Sequence, residues 1–356
     1  MKTRLSKSTF ISIIAFVVGL SILVGAQTAP KGQLQGKQQL ILTPNPAGHP
    51  EFLWAIQNAK QSILMTMFHL TDQAIVNALI QARTKNIEVR IILDGDGLKD
   101  KRRQAFAAQL SQGRVAVLPS SPAFSITHEK AMIIDHSYAF ITAINLTDNA
   151  ATTRDLGVIL NDPDVVKEML AVFETDWANA QKKTGFTPPL SNPNLVWSPI
   201  NSEAKLSSLI NSAKTSVVST VENLGEAAIM NAYTNAAARG VAVRVIVPMC
   251  DKNSNPAFNY KFIPDLVTRG VQVKVMPFPE TAQHPYMHSK MILVDNTYAY
   301  VGSINFSFNS VMKARELGII FGVPQLAAQI ESIFELDWGQ AQEAGAAPTN
   351  CPGLPL

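Results

Sequence analysis

The chain matches itself at an offset of about 160 residues, and that match constrains its fold more than any other feature. Thr127-His128-Glu129-Lys130 recurs as Met287-His288-Ser289-Lys290, and in both copies four residues separate the lysine from an aspartate, Asp135 or Asp295. Asn145 corresponds to Asn305, Arg154-Asp155-Leu156-Gly157 to Arg315-Glu316-Leu317-Gly318, and Asp176-Trp177 to Asp337-Trp338. A period this long exceeds that of any solenoid unit, so it reads as the duplication of a whole domain.

Local patterns give both copies the same order of elements. Apolar strand candidates at Ser62 to Phe68 and Ser216 to Val221 precede Ala-rich helical stretches, Asp72 to Thr84 and Glu226 to Arg239. Alternating β-branched runs follow, Ile87 to Leu93 and Val241 to Val247. Further helices are expected at Pro50 to Lys60, Glu203 to Ala213 and Arg103 to Gln112, with a strand at Val115 to Leu118. Strands alternating with helices at this spacing predict an α/β fold, one sheet per copy, flanked by helices. The expected boundaries are residues 37–185 for the first repeat, 186–199 for a Pro-rich linker, 200–342 for the second repeat and 343–356 for a C-terminal tail.

Each His-x-Lys motif reads as the start of a strand. At a period of two, residues i and i+2 share a face, so imidazole and ammonium emerge together while Glu129 or Ser289 turns away. Asp135-His136-Ser137 and Asp295-Asn296-Thr297 look like turns into second strands, Tyr138 to Ile141 and Tyr298 to Val301, which return Asn145 and Asn305 to the motif edge. Two histidines and two lysines on such an edge supply a nucleophile, an acid and positive charge. Those are the parts needed to attack a phosphodiester without a metal. No Cys-x-x-Cys or His-Glu-x-x-His pattern suggests a metal site, and no cofactor is implied.

His288-Ser289-Lys290, Asp295, Gly302-Ser303-Ile304-Asn305 and Glu316 resemble the full signature of the phospholipase D superfamily, and the first copy resembles a variant of it. The resemblance covers residues 37–342. It implies two tandem repeats, each a mixed β-sheet flanked by helices, packed with pseudo-twofold symmetry so that the motifs face one another. It also implies a phosphohistidine mechanism, with His128 as nucleophile and His288 as the acid that later activates water. Asp155 and Glu316 would orient the imidazoles, while Lys130, Lys290, Asn145, Asn305 and Ser303 would bind and orient the phosphate. Asp135 and Asp295 would stabilise turns. The first copy departs at Thr142-Ala143-Ile144-Asn145, where a small residue and a hydroxyl are lost. Because one chain carries both motifs, a monomer is expected.

Compartment and charge narrow the substrate. Lys2, Arg4 and Lys7 precede an apolar run from Phe10 to Val24, so residues 1–26 read as a secretory signal and the protein as secreted or periplasmic. An uncleaved anchor is the alternative, since the run falls a little short of the roughly 20 residues that span a bilayer. Three of the 30 Lys and Arg lie in that segment, which leaves the body with as many basic residues as its 27 acidic ones. The overall basic charge of a nucleic-acid binder is absent. These features favour a phospholipid at a membrane surface, cleaved to phosphatidic acid and a free alcohol, over a metal-independent nuclease or a phosphatidyltransferase of the same superfamily.

The remaining signals are weaker. Cys250 and Cys351 could pair in an oxidising compartment or stay as thiols. His49, His69 and His136 have no repeat partner and read as packing or surface residues, whereas His284 and Tyr286 are open between pocket and packing. Asp94-Gly95-Asp96-Gly97 reads as a turn, because the later acidic spacing of a calcium loop is missing. The basic cluster Lys99, Lys101, Arg102 and Arg103 reads as a solvated helix start, with an anion contact as the alternative.

Overall fold

The two copies build two sheets with the same strand order. The computed structural model describes residues 38–251, 258–349 and 351. The candidate signal at residues 1–26 lies outside the described residues. Among those described, no helix is long and apolar enough to cross a membrane.

The first sheet contains β1 (Gln39–Thr43), β2 (Ser62–Met67), β3 (Glu88–Leu93), β4 (Ala116–Pro119), β5 (Lys130–Ile134), β6 (Tyr138–Thr142) and β7 (Thr153–Leu160), in the order β1-β7-β6-β5-β2-β3-β4. The second contains β8 (Leu195–Ser198), β9 (Ser216–Thr220), β10 (Ala242–Pro248), β11 (Gln272–Met276), β13 (Lys290–Val294), β14 (Tyr298–Gly302) and β15 (Glu316–Phe321), ordered β11-β10-β9-β13-β14-β15-β8. A short β12 (Tyr286–Met287) pairs with β7 of the first sheet, and β16 (Gln342–Glu343) pairs with β11. In each sheet a parallel trio, β2-β3-β4 or β9-β10-β11, meets an antiparallel hairpin, β5-β6 or β13-β14. The α/β fold with mixed sheets is thus as the repeat predicts.

Helices cover the sheets in layers. Helices α1 (Pro50–Asn58), α2 (Gln73–Thr84) and α3 (Lys101–Gln112) pack outside the first sheet, and α5 (Ser202–Asn211), α6 (Ala227–Ala238) and α7 (Ile263–Thr268) outside the second. The expected helices overrun at Asp72 and Glu226 because these side chains cap the ends: Asp72 accepts from the amides of Ala74 and Ile75. Two long helices, α4 (Pro163–Lys182) and α9 (Pro324–Gln340), lie in the shared core. Val165, Met169 and Phe173 of one, and Leu326, Ile330 and Phe334 of the other, join Leu64 and Ile133 of the first sheet and Val218 and Leu293 of the second in one apolar cluster. At about 1.5–3 kcal/mol per large apolar side chain, this cluster alone fixes the two halves against each other. A final short helix, α8 (Phe308–Met312), follows the second hairpin.

Two boundaries are corrected. The linker is shorter than residues 186–199, because Leu195–Ser198 forms β8 and is buried against β15. The apolar run Leu195-Val196-Trp197 buries better as a sheet edge than as a connector. The described part of the tail is tied back by β16 and by a disulfide between Cys250 and Cys351.

The aspartates of the two motifs lie in turns. Asp135 and His136, and likewise Asp295 and Asn296, have positive φ near 50°, the conformation of a tight hairpin turn. The Asp135 carboxylate accepts from the amides of Lys60, Gln61 and Ser62, and that of Asp295 from Lys214, Thr215 and Ser216. Each aspartate therefore locks the start of a central strand to its hairpin, far from the histidine end.

Candidate active site

The histidines sit two residues before β5 and β13, and each is supported by the other half of the molecule. The His128 amide donates to the Arg315 carbonyl at 3.0 Å, and the His288 amide donates to the Arg154 carbonyl at 3.1 Å. Arg154 in turn grips Asp337 of α9 through two bonds of 2.8 Å, and Arg315 grips Asp176 of α4 at 2.7 and 3.1 Å. The imidazoles are oriented in the same crossed way. His128 Nδ1 lies 2.8 Å from Glu316 Oε2, and His288 Nδ1 lies 2.8 Å from Asp155 Oδ1. With each Nδ1–H directed to a carboxylate, both Nε2 atoms are left for chemistry. The ring centroids stand 6.4 Å apart beside a cavity of about 230 Å³.

The two halves differ in charge around these rings. Burial, then the ammonium groups of Lys130 and Lys290, hold His128 well below the ordinary histidine range, so the ring is neutral at pH 7. Burial raises Glu316 to about 7, against the pull of Lys130 and of the Ser310 and Ser303 hydroxyls. Burial, then Lys290, brings Lys130 down to about 7. Its ammonium donates to the His128 carbonyl at 2.6 Å and lies 4.6 Å from the centre of the Phe68 ring. Lys290 donates to the His288 carbonyl and to Glu222 Oε2 at 3.0 Å. Burial acts to raise Glu222, but Lys290, His288 and the Tyr286 hydroxyl outweigh it and hold the carboxyl well below its usual range.

Several sequence expectations change at this point. Neither lysine lines the cavity: both are buried behind the histidines, so their charge reaches the site from beneath. Ser303 is fully buried with its hydroxyl on the Leu317 backbone, beside Glu316, so it supports the orienting carboxylate and does not reach the phosphate position. Asn145 and Asn305 do line the cavity. Asn305 donates to Glu222 Oε2 at 3.2 Å, and the Asn145 carbonyl oxygen is buried without a hydrogen-bond partner among the described residues.

The altered first motif repairs its own loss. Thr142 Oγ1 donates to the Lys130 carbonyl and accepts from the Ile144 amide, both at 3.1 Å, bracing the loop that carries Asn145. Its bulk fits because Gly157 faces it, where any Cβ would lie within 2.7 Å of the threonine. In the second motif Gly302 faces Gly318, and a Cβ at Gly302 would meet that backbone at 2.4 Å.

Sequence reasoning missed Glu222, Phe68 and the histidines at 49 and 69. His49 and His69 both line the cavity, contrary to the packing role expected of them. His49 donates to Asp72, the cap of α2, at 2.9 Å. His69 stacks on Phe68 at 4.1 Å, and burial, then Arg103 and Lys130, keep it neutral. Tyr286 is buried beside His288, at 6.3 Å between ring centres, and donates to Glu222 at 2.7 Å. His284 does not line the cavity; its amide donates to the Thr281 hydroxyl in a turn. The available signal for Glu222 was a lone acid ending the apolar run from Ser216 to Val221.

The acidic turn and basic cluster resolve as structural. Asp94 accepts from the amides of Thr127 and Gly97, which fixes the approach to His128. Lys99 pairs with Asp96 and Arg102 with Asp148, while Arg103 sits 5.7 Å from the centre of the Phe68 ring, beside the cavity. No group of side chains suited to holding a metal occurs among the described residues.

Comparison with known proteins agrees with this geometry. A family model described as "Cardiolipin synthase, PLD-like domain" matches residues 52–177 and 206–338, once for each repeat. The chain belongs to the phospholipase D superfamily. It is 27% identical over 310 residues to a cardiolipin synthase of Halalkalibacterium halodurans, a match covering 76% of this chain and 60% of that one. It is 25% identical over 365 residues to phospholipase D Z of Dictyostelium discoideum, covering 84% and 86%. The chain thus spans less than two thirds of that cardiolipin synthase. Among solved structures, phosphatidylserine synthase of Haemophilus influenzae shares the fold with a TM-score of 0.66 at 12% identity, covering 86% of this chain and 87% of that one.

Proposed function

We propose that the protein cleaves a phospholipid phosphodiester through a phosphohistidine on His128, releasing the head-group alcohol and leaving phosphatidic acid after hydrolysis. The observation that carries this reading is the crossed pair of imidazoles, each with Nδ1 tied to a carboxylate of the other repeat. Neutral His128 offers its Nε2 lone pair to phosphorus. As the N–P bond forms and the P–O bond to the head group breaks, His288 gives its Nε2 proton to the departing oxygen. Water then loses a proton to His288 while it attacks phosphorus, and the N–P bond breaks to restore His128. Lys130, Lys290 and the Asn145 and Asn305 amides supply the positive field and hydrogen-bonding groups for the five-coordinate transition state.

Two features support lipid over nucleic acid. Among the described residues, Lys130 and Lys290 beside the site are buried, and Lys99 and Arg102 near it are paired with acids, which leaves little open basic surface for a nucleic-acid backbone. The cavity wall also includes Phe68, Ile126, Ile144 and Ala150, apolar surface suited to a glycerolipid. A second reading, transfer of the phosphatidyl group to another alcohol in place of water, is favoured by the likeness to cardiolipin synthases.

A substrate panel of phosphatidylcholine, phosphatidylglycerol and plasmid DNA, run with chelator, tests the reading. Phosphatidic acid should form, and should vanish in His128→Ala and His288→Ala. Added glycerol diverting product to phosphatidylglycerol would favour transfer, while cleavage of DNA alone would overturn the lipid assignment.

A further inference from the structure

The repeat is least symmetric at one position beside the histidines. Aligned by Ser62 and Ser216, the first residues of β2 and β9, Phe68 of the first repeat corresponds to Glu222 of the second. Phe68 sets its ring at 4.6 Å from that of His128 and 4.6 Å from the Lys130 ammonium. Glu222 places Oε2 3.0 Å from the Lys290 ammonium and 3.4 Å from His288 Nε2. An aromatic ring beside one histidine is replaced by a carboxylate beside the other.

From this geometry we infer that Glu222 is a positioning residue that holds the proton on His288 Nε2, making the second repeat the acid half and leaving the first as the nucleophile half. The inference rests on the phosphohistidine reading above and assigns the cause of its asymmetry. A carboxylate faces each nitrogen of His288: Asp155 is hydrogen-bonded to Nδ1 at 2.8 Å, and Glu222 Oε2 lies at an ion-pair distance of 3.4 Å from Nε2. A ring that donates from both nitrogens is an imidazolium. His128 has Glu316 at Nδ1 and the Phe68 ring close by, with no second carboxylate ion-paired to it among the described residues.

The charged or titratable groups around His288 are Asp155 at Nδ1, Glu222 at Nε2, Lys290 paired with Glu222, and the His128 ring 6.4 Å away, while Tyr286 donates its hydroxyl to Glu222. Glu222 is itself kept in place by that hydroxyl, by Lys290 and by the Asn305 amide. When a diester enters, its leaving oxygen takes over from Glu222 as acceptor of the Nε2 proton. The proton moves to that oxygen as the P–O bond breaks, so no further reagent is required.

The test exploits the leaving group. An alkoxide needs a proton to depart and p-nitrophenolate does not, so a defect in proton delivery is selective where a distorted site is not. Leaving-group release in the first turnover is measured for wild type and Glu222→Gln with phosphatidylcholine and with phosphatidyl-p-nitrophenol. The variant should lose about 100-fold or more on the alkyl ester and less than about 5-fold on the nitrophenyl ester. Equal losses on both esters would overturn the inference.

A second readout needs no lipid turnover and separates this inference from the lipid assignment. Nitrogen NMR of the His288 ring at pH 7 should show both nitrogens protonated in wild type and only one in Glu222→Gln. A singly protonated His288 in wild type, or an unchanged ring in the variant, would sink the idea. If wild type turns over neither phosphatidyl ester, the lipid reading fails, and the NMR comparison still decides the role of Glu222.

Discussion

Glu316, in the second repeat, accepts the Nδ1 hydrogen bond of His128, in the first, at 2.8 Å, and both side chains are buried. Asp155 returns the arrangement to His288. Each carboxylate fixes the ring that its own repeat does not supply. Glu316→Gln and Asp155→Asn keep shape and lose the charge that selects the tautomer, so each should reduce kcat by about 10²–10⁴-fold with little change in KM. Steady-state kinetics on a soluble short-chain phospholipid would check this, and a loss confined to KM would contradict the orienting role.

Glu129 links the site to stability through pH. It is fully buried, and burial, then the nearby Asp176, raises it from 4.5 to about 8. A raised carboxyl stabilises the fold fully below its unfolded value and loses that contribution as pH climbs through the folded one. The window therefore runs from about 4.5 to about 8. Glu129→Gln, which stays neutral, should melt near wild type at about pH 5 and progressively above it toward about pH 9. Thermal unfolding across that range measures the difference, and a pH-independent gap would show that ionisation of Glu129 is not involved.

The reciprocal Arg154–Asp337 and Arg315–Asp176 pairs are buried, and burial pushes both aspartates up even as the arginines pull them down. Pairs of this kind add little net stability when intact, yet losing one member leaves a charge stranded. Asp337→Ala should cost about 3–5 kcal/mol in urea unfolding. Because the Arg154 carbonyl holds the His288 amide, activity should fall as well, before the global transition.

The Cys250–Cys351 bridge closes a span of 101 residues. A loop of that size removes much unfolded-state freedom, so Cys351→Ser should lower stability by about 2–4 kcal/mol. Neither cysteine lines the cavity, and turnover at ambient temperature should persist. An unchanged melting temperature under reducing conditions would count against the bridge.

The duplicated residues carried most of what could be read in advance. Arg154, Asp176, Arg315 and Asp337 recur in sequence, and they recur because each pairs across the halves, Arg154 with Asp337 and Arg315 with Asp176. Asp135 and Asp295 were legible for a similar reason: one side chain does the same local work twice. Self-comparison is blind to the residues that make the halves unlike. Glu222 and Phe68 occupy one repeat position with opposite chemistry, and His49 and His69 have no counterpart histidine, so nothing in the pattern draws attention to them. Ser303 was misplaced because it shares a motif with Asn305, yet its hydroxyl turns back to the Leu317 backbone while Asn305 reaches the cavity. The linker was overestimated because its prolines outweighed the short apolar run that became β8.

The backbone crossing has a consequence for how substrate gets in. Tyr286 and Met287 pair with β7, and Thr127 bridges Arg315, so both catalytic segments are stitched to the opposite sheet. Parting the halves like a clamshell would tear each histidine from the strand that supports it. On the proposed function, turnover would therefore run with the two halves shut, the lipid entering head first through a fixed mouth and the alcohol leaving by the same way. The reach of the cavity, and not the swing of a hinge, would then limit which head groups the protein could process.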